Sequence, residues 1–256
     1  TISVTGSLFR SPRTFLIPLL AGITMNYVVL GGLILILSEL IIFAEYLRIG
    51  FVVLASVPPA IGVIPFTHFL DGDVEFSLIG TMGCYFGAFI FTPLILFTLL
   101  GFGFGFQNQL FISMIELIII PLVLSRILLH TGVDSRIAKV KGVLVNWSFF
   151  VIVYTIVGLN REVFLSQPLS LIPAAVISIA TIFLLGYFIE RVGRLLRINP
   201  KTVTSMVLLA TSKNAGFAGG LALALFGKQT AIPSTITTIF MLINVIILDL
   251  KKRQTN

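Results

Sequence analysis

Apolar residues dominate the chain in long runs, and polar residues are gathered in the short segments between them. A helix needs about 20 apolar residues to cross the roughly 30 Å hydrocarbon layer of a bilayer. The sequence predicts spans of this length at residues 14–38, 49–70, 75–101, 109–130, 140–159, 168–190, 203–226 and 231–250. The loops between them are too short for a soluble domain. This pattern is typical of an all-α, polytopic membrane protein.

Two of the predicted spans are interrupted. The second contains Pro58, Pro59 and Pro65, and a proline inside a helix removes a backbone donor and clashes with the preceding turn. The seventh carries Lys213 and Asn214 between two apolar halves. A lysine at membrane depth costs about 2.5–3.5 kcal/mol on insertion scales, so it must face protein or water. Because broken helices of this kind form binding sites in many transporters, the sequence predicts a membrane transporter.

The distribution of basic residues predicts the orientation. With the N-terminus in the cytoplasm, the basic residues that fall inside are Arg10, Arg13, Arg126, Arg136, Lys139, Lys141, Arg191, Arg194, Arg197, Lys201, Lys251, Lys252 and Arg253. Only Arg48, Arg161 and Lys228 fall outside. This asymmetry accounts for the net charge of +7, predicts a cytoplasmic C-terminus and argues against a nucleic-acid partner. The two interrupted spans enter from opposite faces, as in an inverted repeat.

Composition excludes several other classes of protein. Hydrophobic residues make up 57% of the chain and charged residues 11%, against about 25% charged in soluble domains. The single Cys84 excludes an intramolecular disulfide framework, and His68 and His130 are too few for a histidine-based metal site. The spans contain no HExxH or GxSxG motif and no aspartate pair, so we expect neither enzymatic activity nor a cofactor.

Several stretches of the sequence resemble the bile acid:sodium symporter family. They are FRSPR before the first span, SVPPAIGVIPFTHFLDGDVEFSLIGT, SKNAGFAGGLALALFG and AIPSTITTIFMLIN. The resemblance implies ten helices in two inverted repeats, with two crossing discontinuous helices in a core domain beside a panel domain. On that plan the chain matches helices three to ten, and two panel helices precede Thr1. We expect core-domain helices of the first repeat in residues 1–107, panel-like helices in 108–160 and core-domain helices of the second repeat in 161–256, in a bacterial inner (plasma) membrane.

The resemblance also implies residues for a binding site. Gly62 matches the glycine of the first crossover, Asn214 the asparagine of the second, and Asn244 a substrate-contacting asparagine of the last helix. The polar residues that match sodium ligands are Asn26, Ser77 and Thr81. Simpler roles stay open, since Asn214 could cap the half-helix that begins at Ala215, and membrane hydroxyls often bond a carbonyl one turn back.

Other positions depart from the family pattern. Its Ser-Asn pair on the first broken helix falls on Val63 and Ile64, its sodium-bridging glutamate on Leu209, and a glutamine on Lys213. Sodium needs several oxygen ligands, so these departures make a sodium cofactor doubtful. We hypothesise that the Lys213 ammonium takes the place of a sodium, held by Asn26 and nearby carbonyls. Transport would then be independent of sodium, or linked to protons if burial favours the neutral amine.

Two further features are predicted with alternatives. Glu116 is the only acid well inside a predicted span, which makes it a candidate proton relay or a partner for Lys213, although a position near the outer interface fits equally. The glycine-rich tract at 101–109 predicts a flexible external connection.

The leading functional interpretation is a secondary transporter of a small organic anion that works by alternating access in a lipid bilayer. The positive side chain of Lys213 and the N-termini of two half-helices favour an anion. One alternative is an auxin-efflux-type carrier or a cation/proton antiporter-like permease, although the missing aspartate pair argues against an antiporter. Another is a membrane sensor that does not transport.

Overall fold

The computed structural model describes residues 12–101, 104–120, 161–166 and 168–255, together with scattered positions between 123 and 159. Regular structure among these residues is helical, apart from one isolated β-bridge between Pro59 and Lys213. The helices long and apolar enough to cross a membrane are Arg13–Ile41, Val74–Leu100, Pro168–Leu195 and Lys228–Lys251. The predicted all-α, polytopic membrane fold is therefore confirmed.

The helices are numbered here in chain order. Helix α1 comprises Pro12–Ile23, the π-helical stretch Thr24–Gly31 and Gly32–Ile41; it is followed by α2 (Glu45–Ser56), α3 (Val63–Phe69), α4 (Val74–Leu100), α5 (Phe104–Met114, extended by π-helical Ile115–Ile119) and α6 (Arg161–Ser166). Helix α7 comprises 3-10 helical Pro168–Leu171, Ile172–Ile179, π-helical Ala180–Leu184 and Leu185–Leu195; after it come α8 (Pro200–Thr211), α9 (Ala215–Phe226) and α10 (3-10 helical Lys228–Ala231, then Ile232–Thr255).

Most of the predicted spans can be compared with these helices. Both interrupted spans form pairs of half-helices, α2 with α3 and α8 with α9. The predicted span 109–130 coincides with α5 up to residue 120 and is described at scattered positions beyond it, and the span 140–159 is described at scattered positions alone. The flexible connection predicted at 101–109 is wrong over most of its length, because α5 begins at Phe104. Burial of Leu110 and Met114 on that helix outweighs the poor helix propensity of the glycines before them.

The two broken helices meet at their breaks. Helix α2 ends at Ser56, one residue before Pro58 and Pro59, and α8 ends at Thr211. The extended segments that follow run antiparallel and exchange two hydrogen bonds: the Ala60 N–H donates to the Ser212 carbonyl at 3.0 Å, and the Asn214 N–H donates to the Pro58 carbonyl at 2.9 Å. We call residues 57–62 the first crossing segment and residues 212–214 the second crossing segment.

The surrounding helices pack tightly on this crossing. Every residue from Phe51 to Ala60 is buried, so α2 approaches the crossing through the interior of the protein. Helices α1 and α4 touch backbone to backbone, since a Cβ atom added at Gly22 would lie 2.5 Å from the Gly80 Cα. Helices α1 and α7 each contain a π-helical stretch near the middle. The inverted repeat stays a prediction. The proposed division into core and panel domains stays a prediction.

Candidate binding site at the helix crossing

The end of α2 leaves carbonyl groups without their usual partners. In an α-helix the Ala55 carbonyl would accept from the N–H of residue 59, but Pro59 has none. Side chains from other helices replace the missing donors. The Thr92 hydroxyl of α4 donates to the Ser56 carbonyl at 2.8 Å. The carbonyls on either side, those of Ala55 and Val57, accept from the Lys213 ammonium.

Lys213 is held by three acceptors. Its Nζ atom lies 2.7 Å from the Ala55 carbonyl, 2.9 Å from the Val57 carbonyl and 2.9 Å from Asn26 Oδ1. An ammonium carries three protons, so every donor of this side chain is used. The residue is 1% exposed and is the only buried charged residue among those described. The Nζ atom also lies 4.8 Å from the centroid of the Tyr27 ring, within the range of a cation–π interaction.

Asn26 is oriented by a second hydrogen bond. It lies on the π-helical stretch of α1, and its Nδ2 donates to the Leu209 carbonyl of α8 at 3.2 Å. This contact turns the Oδ1 atom toward Lys213. Gly31 makes room for the arrangement, because a Cβ atom there would lie 3.1 Å from the Ala55 carbonyl oxygen and 3.8 Å from Lys213 Nζ. The cation thus lies at the carbonyl end of α2, where the helix dipole also favours positive charge.

Asn214 has a different environment from its neighbour. Its Oδ1 accepts from the Phe217 N–H at 3.0 Å and so caps α9, as expected. Its Nδ2 donates to the Tyr85 hydroxyl of α4 at 2.7 Å. Both Asn214 and Tyr85 are only partly buried. The second crossing segment therefore has a closed side at Lys213 and a more open side at Asn214.

The remaining sodium ligands implied by the resemblance do not assemble into a site. Val63 and Leu209, where the family has oxygen ligands, are buried apolar side chains. Ser77 bonds to the Thr67 hydroxyl at 2.7 Å, and Thr67 in turn donates to the Val63 carbonyl. Thr81 is buried and its hydroxyl has no hydrogen-bond partner. One spare hydroxyl, with Asn26 Oδ1 already bonded to Lys213 and Ser77 bonded to Thr67, does not fit a sodium ion.

Three other predicted site residues are not hydrogen-bond partners of Lys213. Gly62 adjoins the start of α3 and is partly buried, with the Phe66 ring where a Cβ atom would be. Asn244 is buried on α10 and is not among the three acceptors of Lys213. The suggested pairing of Glu116 with Lys213 is wrong in this structure, because Glu116 is exposed and the ammonium has no free donor. The other roles assigned to these three residues stay predictions.

Sequence reasoning missed Tyr85 and Thr92. Tyr85 lies four residues after Thr81 and eight after Ser77, so all three are on one face of α4. That spacing was available in the sequence. The role of Thr92 was not, because it depends on which carbonyls the prolines of α2 leave unpaired.

The chain matches the SBF-like CPA transporter family (DUF4137) over residues 16–250. It belongs to this family. No curated protein matches the sequence. Membership confirms the resemblance to bile acid:sodium symporters and identifies the protein as a membrane transporter, which implies that it is not an enzyme. In this SBF-like transporter, the crossing described above places Asn26 in contact with Lys213, next to Asn214.

Proposed function

We propose that this protein is a secondary transporter of a small organic anion that binds no sodium at the helix crossing. The observation that supports this proposal is the Lys213 ammonium with its three acceptors, Asn26 Oδ1 and the Ala55 and Val57 carbonyls. Oxygen atoms of these kinds are what a bound sodium would need. A tethered cation already saturates them, so a dissolved cation is not required for the crossing to hold together.

The preference for an anion is supported by the open side of the crossing. Helix α9 begins at Ala215, and the first turn of a helix presents N–H groups that lack intrahelical partners. Asn214 takes up the N–H of Phe217. The helix dipole adds partial positive charge at this end, and no acidic side chain is buried among the described residues. A carboxylate would be stabilised there, with Asn214 as its polar contact.

Sodium independence can be tested in proteoliposomes. Cholate is a suitable first probe because it is a bile acid carboxylate, and uptake would be compared in sodium, in choline and under a proton gradient. We expect equal uptake in sodium and choline. A rise under an inward proton gradient would add proton linkage to the proposal, whereas uptake seen only with sodium would contradict it.

A restored ligand set makes the test sharper. Leu209→Glu combined with Lys213→Gln returns the residue types that the family has at these positions. We expect this double variant to gain a dependence on sodium that the wild type lacks. Lys201→Gln, which removes an exposed lysine, is the matched control and should behave as the wild type does.

The orientation is also part of the proposal. The ends of α7 and α10 lie together, because Lys251 bonds to Glu190, and the exposed residues Arg191, Arg194 and Arg197 are at the same end. By the positive-inside rule this end faces the cytoplasm. The membrane that we propose is a bacterial inner membrane. Labelling of a cysteine placed at Lys201 from one side only would test it.

A further inference from the structure

We propose that Tyr85 is a substrate-contacting residue that donates its hydroxyl proton to the transported anion. This inference rests on the proposed function, since it assumes that an anion binds at the open side of the crossing. It adds a residue that neither the sequence motifs nor the family resemblance assign. The argument starts from the hydrogen bonds of its neighbour Asn214.

The orientation of the Asn214 amide is fixed by its cap. Because Oδ1 accepts from the Phe217 N–H, the Nδ2 group must point the other way, and it donates to the Tyr85 oxygen at 2.7 Å. Tyr85 is therefore an acceptor in this bond. Its own hydroxyl proton is left for another group, and no acceptor for it is found among the described residues.

The contrast with Tyr27 strengthens this assignment. The Tyr27 hydroxyl is on the closed side and donates to the Cys84 carbonyl at 2.9 Å, so its proton is used inside the protein. Tyr27 is 5% exposed, whereas Tyr85 is partly exposed beside a partly exposed Asn214. The Asn214 amide also carries a second proton beyond the one given to Tyr85. Two donors thus remain beside each other on partly exposed side chains, and both would serve a carboxylate.

The charge nearby has the right sign for an anion. Asn214 directly follows Lys213, whose positive charge is buried without an ion-pair partner among the described residues. A buried charge is screened less by salt than an exposed one, so its field extends to the neighbouring open side. An anionic group at Tyr85 would be attracted, and a cationic group repelled.

The first test measures access and charge preference without any transported substrate. In a Cys84→Ala background, Tyr85→Cys is compared with Phe86→Cys, whose wild-type side chain is 70% exposed on an apolar face. Each thiol is treated with water-soluble methanethiosulfonates that are either anionic or cationic. We expect the cysteine at 85 to react, with about a tenfold preference for the anionic reagent over the ratio found for free cysteine, and the cysteine at 86 to be unreactive.

The second test addresses the hydroxyl itself. Tyr85→Phe should raise the KM for cholate by about tenfold with little change in kcat, because a hydrogen bond to a charged group is lost. Tyr187→Phe removes an exposed tyrosine hydroxyl and should leave both values unchanged. Asn214→Asp keeps the cap but loses the donor to Tyr85; it should also raise KM.

The outcomes separate this inference from the proposed function. Cholate uptake by the wild type with an unchanged KM in Tyr85→Phe would overturn the role of Tyr85 and leave the transporter proposal intact. If cholate is not transported under any gradient, the proposal of this anion class fails, and the thiol reactions alone decide. An unreactive cysteine at 85, or one that prefers the cationic reagent, would then overturn the inference.

Discussion

Each crossing segment donates one backbone hydrogen bond to the other, but the two segments differ in their side chains. The first crossing segment, residues 57–62, supplies carbonyl oxygens, and its prolines remove donors. The second, residues 212–214, supplies donors: the ammonium of Lys213 and the amide of Asn214. The prolines of the first crossing segment therefore leave acceptors without partners, and Lys213 of the second crossing segment bonds to two of them, the Ala55 and Val57 carbonyls.

This difference shows why the cation is where it is. Because Pro59 has no N–H, the Ala55 carbonyl lacks its helical donor, and a buried carbonyl without a donor lowers the free energy of unfolding. The Lys213 side chain removes that cost, and its own ammonium protons are all hydrogen-bonded at the same time. The arrangement couples the two broken helices more closely than their two backbone hydrogen bonds alone would.

The largest effect on stability is expected when the Lys213 ammonium, the donor to three acceptors, is removed. Lys213→Met keeps the length and much of the apolar stem but leaves three buried acceptors unpaired. We expect a loss of about 3–5 kcal/mol in unfolding free energy, because each buried acceptor left unpaired costs about 1–3 kcal/mol. Denaturant unfolding in detergent would measure it, with Lys201→Met as the exposed control. A variant as stable as the control would show that these contacts contribute little.

A smaller effect is expected when one acceptor is removed. Asn26→Leu leaves one Lys213 proton and the Leu209 carbonyl unpaired, for a loss of about 2–4 kcal/mol. Asn26→Asp returns an acceptor for Lys213 and should recover part of that loss. Thermal unfolding of the two variants side by side would check the order. If the aspartate variant is the less stable one, the contact with Lys213 is not what makes Asn26 important.

Changes on the open side should have less effect on stability. Asn214→Ala removes the cap of α9 and the bond to Tyr85, and we expect a loss of about 1–2 kcal/mol. Asn214→Asp preserves the capping oxygen, so it should be clearly more stable than the alanine variant. Equal stability of the two would mean that the cap does not contribute.

The smallest effect is expected at an ionic cluster far from the crossing. Glu190 pairs with Arg194 and Lys251 where α7 and α10 end, and all three side chains are partly or largely exposed. Glu190→Gln should cost less than about 1 kcal/mol and lose its effect as salt is raised. A loss as large as that of Lys213→Met would remove the distinction between buried and exposed charges on which the comparison depends.

Much of the fold could be predicted from the sequence, because long apolar runs and prolines have strong local effects. The broken helices followed from Pro58, Pro59 and the polar pair Lys213-Asn214. The hydrophobic pattern did not show that α5 begins among glycines at Phe104, since that depends on where Leu110 and Met114 are buried.

The site was less predictable because its contacts join residues far apart in the chain. The sequence singled out Lys213 and, through the family resemblance, Asn26, and the structure places them in contact. It could not show that backbone carbonyls complete the set, nor that Tyr85 bonds to Asn214. Such contacts depend on how the helices cross, which no local pattern encodes.

The glycine contact between α1 and α4 has a consequence for movement. Gly22 and Gly80 are in close contact, so sliding of α1 along α4 would bring a side chain of one helix against the backbone of the other. Asn26, which bonds to Lys213, lies on α1, and Thr92, which bonds to the Ser56 carbonyl, lies on α4. We therefore expect α1 and α4 to move together during transport, with Asn26 and Thr92 keeping their relative positions.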